Sequence, residues 1–156
     1  MIKINVFSEE KSWSKKLKDK ESFFKKICQA FPKKYKFLKK EISFSLLLSN
    51  NLNIKRLNKQ FRNNNKATDI LSFPFDKKPF VKKNTYLGDI IISYEFINIP
   101  KSQTLLQFKK KLIKIFIHGF LHLLNYDHVK FKDFKKMSDE EKKIYNFISK
   151  NFEKFI

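Results

Sequence analysis

The chain has 156 residues, 42% of them hydrophobic, with one cysteine and a formal net charge of +20 from 35 basic and 15 acidic side chains. That length and apolar content suit a single domain with a core and exclude a disordered tail. The lone Cys28 excludes an internal disulfide and suggests a reducing compartment. The positive charge points to a polyanionic partner, nucleic acid foremost. A blander reading stands beside it: 33 of the 35 basic residues are Lys and only Arg56 and Arg62 are Arg, the drift in amino-acid usage that an AT-rich genome produces.

In chain order, the opening residues MIKINVFSEEKSW hold no apolar signal-like run. Ile2, Ile4 and Val6 alternate as a first strand over 2–7. A helix follows over 19–31, with Phe23, Phe24, Ile27 and Phe31 on one face and Pro32 at its end. Over 41–49, Ile42, Phe44, Leu46 and Leu48 alternate with Ser43, Ser45 and Leu47, the clearest strand of the chain. A short helix over 53–62 buries Ile54, Leu57 and Phe61 and runs into an Asn63-Asn64-Asn65 loop. Strands are expected over 69–73, stopped by Pro74, and over 87–93. A long helix spans 102–124, apolar nearly all round in its second half and so buried in the middle of the domain. It is too short and too interrupted by Lys114 and two histidines to cross a bilayer, so no membrane is expected and the protein reads as cytoplasmic. A last helix is expected to begin at Ser138, with Ser138 and Glu141 matching a capping box. The fold class is α+β: one domain over 1–156, a mixed sheet of about four strands packed with about four to five helices.

Only three histidines occur, all within His118-Gly-Phe-Leu-His122-Leu-Leu-Asn-Tyr-Asp-His128. His118 and His122 are four apart, so a helix stacks them on one face, where two imidazoles can share a metal ion. A continuous helix would carry His128 away, so the chain must turn back, and Asn125 can take the left-handed conformation that ends helices. Three neutral histidines leave a tetrahedral zinc with one open position, the arrangement of a catalytic site at the end of a buried helix. The competing reading, histidines satisfied within the core, suits a lone residue better than this trio. The spacing equals that of the metzincin proteases, but Gly119 stands where those enzymes carry their general-base Glu, so a metalloprotease lacks its proton acceptor.

The stretch HGFLHLLNYDH resembles the H-G-x-L-H-L-x-G-Y-D-H signature of the YbeY endoribonucleases, the rRNA maturation factors. Leu57-Asn58 with Phe61-Arg62, then Thr68-Asp69-Ile70-Leu71-Ser72-Phe73-Pro74, and Leu87-Gly88-Asp89-Ile90 are similar to that family's other blocks, in order over roughly 40–150. Asn125, Phe61 and Ala67 depart from its usual Gly, Tyr and Pro. The resemblance implies one zinc ion held by His118, His122 and His128. It implies single-stranded RNA as substrate, 3′-end processing of small-subunit rRNA and ribosome quality control in contact with the ribosome or its small subunit, and Arg62 as a catalytic residue. A guanidinium suits that last role, since its planar fork of donors matches phosphate oxygens. Asp127 is open to two roles, orienting an imidazole or capping the turn. The alternative to the enzyme is a non-catalytic, zinc-containing ribosome assembly factor.

Overall fold

The alternation over 41–49 becomes the second strand of a four-stranded mixed sheet, in a computed structural model that describes residues 1–77 and 84–154. The strands are β1 (Ile2–Ser8), β2 (Glu41–Ser49), β3 (Ile70–Pro74) and β4 (Asn84–Ser93), in the order β1-β2-β4-β3. β2 lies parallel to both β1 and β4, while β3 runs antiparallel to β4, with Ser72 opposite Ile90.

Among the described residues six α-helices pack on the sheet: α1 (Lys20–Gln29), α2 (Lys33–Lys36), α3 (Asn51–Arg62), α4 (Tyr94–Ile97), α5 (Leu105–Leu123) and α6 (Phe131–Ser149). The period-two pattern of β2 divides the interior. Ile42, Phe44, Leu46 and Leu48 join the main core with α1, α5 and α6, whereas Leu47 faces the smaller cluster of Ile54, Leu71 and Ile91 under α3. Phe116 and Phe120 of α5 pack against Phe24, Phe31 and Phe44, which places α5 at the centre of the molecule.

Of the helix starts, those of the long helix and the last helix differ most from expectation. The long helix begins at Leu105, because Thr104 and Gln107 form a reciprocal capping box that satisfies its first amides. The last helix begins at Phe131, seven residues before Ser138, so Ser138 and Glu141 lie inside it and cap nothing. The one-turn helices α2 and α4 are too short to leave a periodic trace in the sequence.

Gly88 is a backbone necessity. Its φ of +134° is one that side-chain-bearing residues rarely adopt, and a Cβ there would stand 2.1 Å from the carbonyl oxygen of Phe73.

Candidate metal centre

His118 and His122 lie one turn apart near the C-terminal end of α5, where the apolar sequence buries the helix but leaves this edge half open. Leu124 ends the helix and Asn125 then adopts φ 63°, so the chain turns back as expected and carries His128 to the other two rings. The Tyr126 N–H closes this turn on the Leu121 carbonyl at 3.0 Å. The three side chains bring one ligand atom each to within 4.8 Å of one another, an array suited to hold a metal ion.

The hydrogen bonds around the rings decide which nitrogens face inward. The His122 Nδ1 donates to the Tyr126 carbonyl at 2.9 Å, and the His118 Nδ1 lies 2.6 Å from a Glu141 carboxylate oxygen. With both outer nitrogens bonded outward, the two Nε2 atoms face each other at 3.1 Å. Burial, and then the neighbouring His118 and His128, lower the His122 pKa to about 4, so that ring is neutral at pH 7. Rings that each carry their proton on Nδ1 alone oppose Nε2 lone pairs here, which a cation between them relieves. The His118–His122 spacing also fits one shared ion: tetrahedral ligands at about 2.0–2.1 Å from zinc stand roughly 3.3 Å apart. The residues therefore fit a resident metal.

Glu141 is the partner that sequence reasoning missed. Its Ser-x-x-Glu context signals a helix start, and only the packing of α6 on α5 reveals that the carboxylate serves His118 instead. The acceptor for His122 is a backbone oxygen, which leaves no trace in a sequence.

Arg62 lines the same cleft of about 550 Å³ as the three histidines, together with Thr68, Ser72 and Asp127. It closes α3, and Asn63 at φ 52° then ends the helix, so the side chain extends along the exposed edge of β3. Its Nη2 donates to the Ser72 carbonyl at 2.9 Å, and its guanidinium lies 5.7 Å from the centre of the Phe73 ring. Among the described residues Arg62 forms no ion pair, so its charge is directed at the cleft without a carboxylate partner. Phe61, expected on the buried face of α3, is 60% exposed and leans edge-on against Phe73.

Of the two roles open to Asp127, the turn takes at least one oxygen: its Oδ1 accepts the His128 N–H at 2.7 Å. Gly119 faces the sheet. A Cβ there would meet the Ile70 Cδ1 at 2.5 Å and the Ser72 Oγ at 3.1 Å. Gly119 thus sits close against β3 and offers no carboxylate where the metzincin proteases carry their general base.

Comparison with known proteins finds relatives along nearly the whole chain. The sequence profile described as "Endoribonuclease YbeY" matches residues 5–149. A protein of that name from Pelagibacter ubique (strain HTCC1062) is 64% identical over 148 residues, 95% of this chain and 97% of its own. Another, from Ehrlichia canis (strain Jake), is 34% identical over 82% of this chain and 80% of its own. Among solved structures, the solution structure of a Thermotoga maritima protein superposes with a TM-score of 0.58 at 27% identity, covering 97% of this chain and 93% of that one.

Proposed function

The chain belongs to the YbeY endoribonuclease family, and on that premise we propose that it is a zinc-dependent, single-strand-specific endoribonuclease of the cytoplasm, acting in small-subunit rRNA 3′-end maturation and in ribosome quality control. The whole chain is read as one such domain. The observation that carries the proposal is the convergence of His118, His122 and His128, with inward-facing nitrogens, in one cleft with Arg62.

In this reading the three histidines hold the ion. Zinc, when bound, supplies Lewis acidity that lowers the barrier to phosphodiester hydrolysis at neutral pH. Glu141 and the Tyr126 carbonyl hold the rings of His118 and His122 in the tautomer that presents Nε2 to the cleft. Asp127 fixes the turn that delivers His128. Arg62 is anchored through one N–H to the Ser72 carbonyl, and its remaining donors make no hydrogen bond among the described residues. In this reading they bind the scissile phosphate and neutralise charge that develops on it.

The test uses an end-labelled RNA carrying the small-subunit 3′ end, single-stranded or annealed to its complement. Zinc-loaded protein is expected to cut the single strand alone, to stop with chelator and to resume with added zinc. Arg62→Ala should lower the rate by about 100-fold or more. If zinc-loaded protein cuts neither substrate while zinc removal unfolds the chain, the metal is structural and the assembly-factor reading replaces this one.

A further inference from the structure

The eight residues that follow His128 read Val-Lys-Phe-Lys-Asp-Phe-Lys-Lys, from Val129 to Lys136. Here Val129 is 83% exposed, Phe131 82% and Phe134 54%. Large apolar side chains grouped in water mark an interaction surface. Among the described residues, Lys130, Lys132 and Lys135 form no ion pair, and Lys136 reaches back over the Tyr126 ring. Phe131 and Phe134 are three apart on α6 and so are neighbours on its surface.

This patch begins at the histidine cleft. Val129 lines the cleft directly. Phe134 lies seven residues before Glu141, two helical turns along the same stripe of α6, and Glu141 touches His118.

We propose that Phe131 and Phe134 form a base-stacking rim, flanked by Lys130, Lys132 and Lys135, over which a single-stranded nucleic acid enters the histidine cleft. The inference rests on the ribonuclease reading above and adds the residues that would recognise its substrate. Exposed rings interleaved with unpaired cations match what an unpaired strand presents, base faces and phosphates together. A protein-docking patch is instead depleted of Lys at its centre. A duplex keeps its base faces stacked and out of reach of the rings, so the rim also supplies a reason for single-strand preference.

Fluorescence anisotropy of the zinc-loaded chain tests this, with a labelled 2′-O-methyl single strand, its length checked after each titration, and an abasic strand of the same length and backbone. Phe131→Ala/Phe134→Ala should weaken binding of the base-bearing strand by about ten- to hundredfold. It should leave zinc content, circular dichroism and abasic-strand binding at wild-type levels. Phe147→Ala removes another exposed ring of α6, 48% exposed and sixteen residues beyond Phe131, and should change nothing. Wild-type affinity of the double variant for the base-bearing strand would overturn the rim. Loss of small-subunit association at unchanged RNA affinity would also overturn it, giving the patch to a protein partner. A wild type that binds neither strand would overturn the ribonuclease reading itself.

Discussion

Glu141 is 23 residues from His118 in sequence and 2.6 Å from its ring nitrogen. A carboxylate behind a metal-binding imidazole fixes the tautomer and raises its basicity, and losing it commonly costs about 10–100-fold in metal affinity. Glu141→Gln should therefore weaken zinc binding by that factor in competition with a chromophoric chelator, without loss of helix content. Unchanged affinity would remove Glu141 from the site. Asn125 makes the complementary case. Its positive φ was legible from residue type and ligand spacing, because only a reversal of the chain after α5 can bring His128 back. Glycine adopts that conformation without strain, so Asn125→Gly should preserve zinc affinity and melting temperature. Asn125→Val should lose about 1–2 kcal/mol in urea unfolding, and equal stability of the two variants would contradict the account.

At the scale of elements, strong periodicity was readable and short or non-local order was not. The alternation of β2 appears in the structure with its expected ends, Glu41–Ser49, because one face is buried in the main core. The start of α6 was misplaced because Phe131 and Phe134, apolar yet exposed, do not continue the buried stripe of Met137, Ile144 and Ile148. The parallel pairing of β2 with both β1 and β4 depends on long-range register that no local pattern encodes. Gly88 is the element-scale test. With φ at +134° and the Phe73 oxygen 2.1 Å from any Cβ, Gly88→Ala must displace β3 from β4. It should cost about 3 kcal/mol or more in urea unfolding. A loss below about 1 kcal/mol would show that the hairpin relaxes freely.

Across the whole molecule, α2 and α6 are tied behind the site by Tyr35, Lys34 and Glu140. The Tyr35 hydroxyl donates to Glu140 Oε2, and the Lys34 ammonium lies 3.4 Å from the same oxygen. The Tyr35 hydrogen bond first, then those of Lys143 and the charge of Lys34, hold the Glu140 pKa below its usual value, against the opposing effect of burial. A carboxylate lowered in the folded state contributes stability above its unfolded value of about 4.3 and loses it as pH falls through the folded value. Glu140→Gln should thus be less stable than wild type at pH 7, with the gap closing toward pH 3. A gap independent of pH would mean that the tie is not electrostatic.

The net charge of +20 was plain in the sequence, but charge alone names no chemistry. The histidine trio does, and the most direct test compares wild type with His122→Ala on the single-stranded small-subunit 3′ end, with fold and zinc content measured for both. The account predicts that wild type carries one zinc and cuts, while the variant stays folded, lacks zinc and leaves the RNA intact. Equal cleavage by the two proteins would contradict it.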